Sequence, residues 1–212
     1  MAAWAMGRGI HPSLLTLGNA VIGIGGSVAV FLAAGDGPFS AAVLAGVVLW
    51  QVAYVLDCAD GQLARAAGRT SAAGARLDAT ADFVVQASML VAVSEVVRDW
   101  SHPPAEFLVA FAATWSVNLF AFVLVKLTGH EGASLVRSTS RPAAIAKLSR
   151  DYGAQIALLG AWVLCSPRTV VVPVAGLTAV NSALLLAYLA RDAQASLRST
   201  PGVWLGDPGR RK

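Results

Sequence analysis

The fold is decided by residues 41–59, AAVLAGVVLWQVAYVLDCA, in which Asp57 is the single charged side chain. About 20 mostly apolar residues are enough for one helix to cross the roughly 30 Å hydrocarbon layer of a membrane. The rest of the chain has a similar character, since 56% of its 212 residues are hydrophobic and 13% are charged. Soluble domains carry about 25% charged residues. The sequence therefore predicts an integral membrane protein.

Five other segments are apolar and long enough to qualify as spans, and they cover roughly residues 13–33, 75–97, 106–127, 153–166 and 169–190. The fifth of the six is short, so we expect its helix to begin earlier, near Ala143. Residues 1–34 also resemble a signal peptide, but their apolar run exceeds the usual length of about 7–15 residues. We predict an all-α bundle of six transmembrane helices. It forms a single domain over residues 1–212, with a basic tail from about residue 192.

The distribution of cations predicts the direction of the spans. If the N-terminus is cytoplasmic, Arg98 and Arg168 are the two cations outside, which leaves fourteen of the sixteen Lys and Arg residues inside. Cytoplasmic loops carry such an excess of Lys and Arg. We therefore predict a multi-pass protein of the cell membrane with both termini in the cytoplasm. The loop between spans two and three then faces the cytoplasm as well.

Four aspartates surround that loop. Residues 57–65 read DCADGQLAR and residues 74–82 read GARLDATAD, so that Asp57 and Asp60 are three apart and Asp78 and Asp82 are four apart. Residues three or four apart share one face of a helix. Two antiparallel helices would therefore bring the four carboxylates together at the cytoplasmic edge of the membrane.

The simplest alternative is that these aspartates are solvated charges at helix ends. It fits Asp60, but Asp57 follows and Asp82 precedes an apolar run, and a carboxylate well inside the membrane costs about 2.5–3.5 kcal/mol. Divalent cations would offset this cost. Oxygen ligands without His or Cys favour Mg²⁺ or Mn²⁺, and a pair of metals stabilises both the attacking and the leaving oxygen of a phosphoryl displacement. We therefore predict two Mg²⁺ or Mn²⁺ ions.

The pattern D-x2-D-G-x2-A-R-x8-G-x3-D-x3-D, here called the aspartate motif, occupies residues 57–82 with all eight specified residues at their spacing. It resembles the signature of the CDP-alcohol phosphotransferase family, and the six-span layout resembles that family too. The segment His11–Thr16 loosely resembles the Pro-Asn-x-x-Thr start of many members, with Ser13 replacing the Asn. Phe83 follows the last aspartate, where many relatives carry a basic residue.

The resemblance implies an enzyme that transfers a substituted phosphate from a CDP-alcohol to the hydroxyl of a second alcohol and releases CMP. It implies metal ligands at Asp57, Asp60 and Asp78. Asp82 would complete the second metal's ligand shell and act as general base on the acceptor. The CDP site would be lined by small residues and one arginine, namely Gly61, Ala64, Arg65 and Gly74. A homodimer is implied as well.

The substrates are less constrained than the reaction. A site at the membrane edge favours CDP-diacylglycerol as donor, because acyl chains can stay among the membrane lipids, and a soluble CDP-alcohol is the alternative. The basic segment from Lys126 to Arg150 would suit a phosphorylated acceptor such as inositol phosphate or glycerol phosphate. The same charges are equally expected of an inner loop that attracts anionic lipid headgroups. The sequence contains no nucleic-acid-binding pattern.

Two functions from other classes compete with the enzyme. A cation transporter or channel would place its acids near the middle of a span and would need no nucleotide contacts at Gly61, Ala64 and Arg65. A catalytically silent scaffold of the same family would be expected to lack a motif aspartate, and all four are present.

Overall fold

A computed structural model describes residues 2–128 and 152–199 of the chain, and within these ranges the regular structure is entirely helical. A short helix α1 (Ala2–Gly7) precedes the long helices α2 (Pro12–Ala33), α3 (Ala41–Ala66), α4 (Ala72–Ser101) and α5 (Ala105–Thr128). After the gap follow α6 (Tyr152–Cys165) and α7 (Val171–Ser199). Short 3-10 turns at Ala34–Asp36 and Pro167–Thr169 connect α2 to α3 and α6 to α7.

The prediction of an all-helical membrane protein is confirmed. Four described segments are long and apolar enough to cross a membrane: Pro12–Asp36, Ala41–Ala66, Ala72–Ser101 and Pro167–Arg191. The other two predicted spans contain shorter apolar helices, Ala105–Ala121 and Gly153–Val163. The count of six spans and the cytoplasmic location of the termini stay predictions.

The helices are longer than the apolar segments that predicted them. Helix α3 continues past residue 59 to Ala66 and carries the first half of the aspartate motif out of the apolar layer. Helix α4 begins at Ala72 because the Ser71 hydroxyl caps it, accepting a hydrogen bond from the Gly74 amide at 3.0 Å. Gly68, with a φ of 62°, provides the left-handed residue that ends α3.

The C-terminal helix also extends beyond its predicted end. Helix α7 runs to Ser199, so the first part of the predicted tail is helical. Residues 200–212 lie outside the described ranges. The predicted helix start near Ala143 lies outside them too.

Helix α2 is the centre of the half of the bundle that carries the motif. It packs against both α3 and α4, whereas α3 and α4 make little direct backbone contact with each other in the described part of the chain. Glycines allow the close approach, because a Cβ on Gly26 would lie 2.9 Å from the Gly46 carbonyl oxygen. The two halves of the aspartate motif are therefore positioned relative to each other through α2.

The opposite end of the bundle is fixed by hydrogen bonds between helix ends. The Trp100 indole donates to the Ala34 carbonyl at 2.8 Å, and the Ser101 hydroxyl donates to the Arg168 carbonyl at 3.2 Å. Arg98 and Arg168, the two cations predicted outside, thus lie at one end of the molecule, away from the motif. Large apolar side chains such as Leu32, Val21 and Val109 are exposed around the bundle, as expected of a surface that faces lipid.

Candidate metal and nucleotide site

Three motif aspartates converge where α3 and α4 leave the apolar layer. Asp57 and Asp60 on α3 and Asp78 on α4 each offer a carboxylate oxygen, and these three oxygens lie within 4.8 Å of one another. The predicted clustering of these three residues is therefore present in the fold. A compact set of carboxylate oxygens without nitrogen or sulfur ligands fits the preferences of Mg²⁺ and Mn²⁺.

Asp82 stands beside this triad. It lies one helical turn after Asp78 on α4, and its carboxylate is close enough to Asp57 to interact with it electrostatically. The structure thus brings all four motif aspartates into one neighbourhood. The roles of metal ligand and general base predicted for Asp82 remain predictions.

Asp60 is the most enclosed of the four. It is 4% exposed, and its Oδ2 accepts a hydrogen bond of 2.5 Å from the Thr16 hydroxyl, which belongs to the buried face of α2. The alternative that Asp60 is a solvated charge at a helix end does not fit this burial. Burial of an ionised carboxylate is costly unless it is hydrogen-bonded or paired with a cation, and Thr16 meets part of that need.

A cavity of about 430 Å³ opens next to the aspartates, between the start of α2, the end of α3 and the start of α4. The four residues predicted to contact CDP all line it, together with Asp60 and Asp78; they are Gly61, Ala64, Arg65 and Gly74. The fold therefore gathers the predicted nucleotide residues around one space that adjoins the carboxylates. Residues that the motif does not specify contribute the remaining wall: His11, Pro12, Ser13, Thr16, Arg69, Thr70, Ser71 and Ala75.

The two glycines of this wall lie against different neighbouring side chains. A Cβ on Gly61 would lie 3.3 Å from Nη1 of Arg65, so the guanidinium group of Arg65 folds back over Gly61. A Cβ on Gly74 would lie 3.2 Å from the Ser71 hydroxyl oxygen, which caps α4. The absence of a side chain at Gly61 therefore leaves room for the Arg65 guanidinium at the cavity. The absence of a side chain at Gly74 leaves room for the Ser71 hydroxyl that caps α4.

The cavity combines opposite charges. Arg65 and Arg69 supply exposed guanidinium groups, which form forked hydrogen bonds with phosphate oxygens. Asp60 and Asp78 form the border towards the carboxylate triad. A ligand in the cavity would meet guanidinium groups on one side and carboxylates on the other.

The comparison with known families agrees with this geometry. A model of the CDP-alcohol phosphatidyltransferases matches residues 9–187 of the chain, which is most of its length. The chain belongs to the CDP-alcohol phosphatidyltransferase family. Its general reaction is therefore phosphotransfer from a CDP-alcohol, and a transporter or channel function loses its support. Comparisons with curated proteins and with solved structures each found no match.

Within this phosphatidyltransferase, the sequence-based site was incomplete at α2. Thr16 belongs to the loosely matching segment His11–Thr16, and no pattern in the sequence predicts its hydrogen bond to Asp60. The match of the family model from residue 9 onward includes this segment. The structure gives Thr16 a defined contact with the aspartate motif.

The basic segment from Lys126 to Arg150, for which acceptor binding and attraction of anionic lipid headgroups were equally expected, lies largely beyond the described residues. Lys126 belongs to α5, but His130, Arg137, Arg141, Lys147 and Arg150 fall in the gap. The chain is described again from the start of α6, where buried Gly153 packs directly against the Tyr54 ring of α3. Tyr54 lies one helical turn before Asp57, so α6 begins close to the aspartate neighbourhood.

Proposed function

We propose that the protein is a metal-dependent membrane phosphatidyltransferase that transfers the phosphatidyl group of CDP-diacylglycerol to the hydroxyl of an alcohol acceptor. The acceptor we propose is a phosphorylated polyol such as inositol phosphate or glycerol phosphate. One observation carries the proposal: the carboxylate triad adjoins the cavity lined by Gly61, Ala64, Arg65 and Gly74.

The proposed role of each residue follows from the chemistry of its side chain. Asp57, Asp60 and Asp78 hold divalent cations, with Asp82 completing the ligand set of the second one. When bound, a pair of Mg²⁺ or Mn²⁺ ions neutralises the charge that develops on the donor pyrophosphate. Arg65 binds a phosphate oxygen and orients the donor in the cavity.

The acceptor hydroxyl then attacks the phosphorus that carries diacylglycerol. Asp82 accepts the hydroxyl proton, as a positioned carboxylate can. A new phosphorus–oxygen bond forms to the acceptor, the bond to the CMP phosphate oxygen breaks, and CMP leaves with both bonding electrons. The products are a phosphatidyl-linked acceptor and CMP.

A lipid donor suits the position of the site. The carboxylates lie where α3 passes from apolar to polar sequence, so a donor held there would keep its acyl chains in the membrane and present its CDP group to the water-facing cavity. The cavity would then face the cytoplasm, where the positive-inside rule puts Arg65, Arg69 and Arg76.

Activity measurements on the purified protein test the proposal. The protein is reconstituted with CDP-diacylglycerol or CDP-choline and a panel of alcohols, including inositol phosphate, glycerol phosphate, inositol and serine. We expect CMP release and a new lipid only with CDP-diacylglycerol, a phosphorylated acceptor and Mg²⁺ or Mn²⁺. Turnover of CDP-choline alone would replace the lipid donor by a soluble one, and turnover in excess chelator would refute the metal dependence.

A further inference from the structure

The bond between Thr16 and Asp60 has the geometry of a strong, charge-assisted hydrogen bond. The Thr16 hydroxyl oxygen lies 2.5 Å from Asp60 Oδ2 and 3.4 Å from the Pro12 carbonyl oxygen. A hydroxyl has one proton to donate, and the shorter contact is the one expected for an O–H donor facing a carboxylate, about 2.5–2.7 Å. The side chains of Thr16 and Asp60 are 5% and 4% exposed, so water competes little for either group.

This bond restrains the orientation of the Asp60 carboxylate. With one oxygen held from α2, the Asp60 carboxylate cannot rotate freely, and it keeps a ligand atom within 4.8 Å of those of Asp57 and Asp78. Carboxylates that bind metal are in turn hydrogen-bonded, and loss of such an outer partner typically weakens metal binding by about 10–100-fold. Because α2 contacts both α3 and α4, it is a suitable reference from which to fix one ligand relative to another.

Another hydroxyl of α2, that of Ser27, joins this helix to its neighbours α3 and α4. The Ser27 hydroxyl accepts hydrogen bonds from the Trp50 indole of α3 at 3.0 Å and from the Ser88 hydroxyl of α4 at 2.9 Å. Ser27 is 2% exposed and lies three turns further along the same face of α2. The two hydroxyls of α2 thus differ in their partners, because Ser27 joins helices through groups without metal-binding chemistry and Thr16 reaches a carboxylate of the triad.

We propose that Thr16 is a positioning residue for the metal site, which holds the Asp60 carboxylate in the orientation that ligates a divalent cation. The proposal rests on the metal site proposed above and adds a residue outside the aspartate motif to it. Thr16 acts through Asp60 and has no role as a ligand itself.

The test compares hydroxyl removal with hydroxyl retention at the same position. Full-length protein in lipid nanodiscs carries Thr16→Val, Thr16→Ala or Thr16→Ser, and Ser27→Ala is the matched control on the same helix. Mn²⁺ binding without substrate is measured by electron paramagnetic resonance, and thermal unfolding is measured on the same samples. Thr16→Ala takes the place of Thr16→Val if the larger branched side chain prevents folding.

We expect Thr16→Val and Thr16→Ala to weaken Mn²⁺ binding by about 10–100-fold, and Thr16→Ser to stay within about threefold of the wild type because it keeps the donor. Ser27→Ala lowers the unfolding temperature but leaves the Mn²⁺ affinity unchanged. If Thr16→Val and Thr16→Ala both bind Mn²⁺ with wild-type affinity, or if Ser27→Ala loses as much Mn²⁺ affinity as they do, Thr16 is not a positioning residue. These outcomes leave the proposed metal site itself intact. A wild-type protein that binds no Mn²⁺ overturns the proposed metal site as well.

Discussion

The Asp82→Asn variant separates the proposed chemistry from the fold most sharply. Asparagine keeps the size and much of the polarity of the aspartate but cannot accept the acceptor's proton. General-base catalysis is typically worth about 10²–10⁴ in rate, which corresponds to about 2.7–5.4 kcal/mol of activation free energy at about 1.36 kcal/mol per factor of ten. We therefore expect the rate of CMP release to fall by two to four orders of magnitude, as about 10²–10⁴ implies.

The same substitution is expected to leave the fold intact. Asp82 is close enough to Asp57 on α3 to interact with it unfavourably, because two neighbouring carboxylates repel each other when both are ionised. Removal of one charge relieves this repulsion, so the unfolding temperature should stay equal or rise. The triad of Asp57, Asp60 and Asp78 remains, and at least one Mn²⁺ ion should still bind.

The assay measures CMP release, Mn²⁺ binding and thermal unfolding on one preparation. Asp36→Asn is the matched control, because it removes an exposed carboxylate from the turn at the opposite end of α2. It should leave all three measurements at wild-type values. If Asp82→Asn releases CMP at the wild-type rate, Asp82 is not the base; if it loses activity and fold together, the two effects are not separable and the reasoning about charge relief is wrong.

Four further predictions concern other parts of the molecule. Mn²⁺ at about 100 times its dissociation constant should stabilise the protein by about 2.7 kcal/mol, and Asp60→Asn should abolish this shift in thermal unfolding. Arg65→Ala should raise KM for the CDP donor without lowering the unfolding temperature, since the side chain is exposed at the cavity; unchanged donor kinetics would exclude the phosphate contact. A cysteine in place of Arg137 should be labelled from the cytoplasmic side alone, and labelling from outside would reverse the topology. Asn19 is 1% exposed and its Oδ1 has no hydrogen-bond partner among the described residues, so Asn19→Leu should stabilise the fold by about 1–3 kcal/mol in chemical denaturation.

The sequence predicted the contents of the site better than the limits of the helices. Residue spacing alone placed Asp57 with Asp60 and Asp78 with Asp82, since neighbours three and four apart share a helix face whatever the rest of the fold does. Hydropathy could not locate the end of α3, because it reports where apolar sequence stops and not where hydrogen bonding along the backbone stops. Apart from Leu63, residues 60–66 are polar or small, yet most of them are good helix formers, so α3 continues to Ala66.

The part that sequence reasoning missed is the part that depends on contacts between distant residues. Thr16 and Asp60 are 44 positions apart, and no periodicity or local pattern relates them. Their contact exists because α2 packs between the two helices that carry the aspartates, and small residues such as Gly26 and Gly46 permit that packing. A motif confined to residues 57–82 can therefore name the ligands, but the distance between its halves and the orientation of Asp60 are set by a helix that precedes it. Substitutions on the buried face of α2 should for this reason affect the site even though none of them lies within the motif.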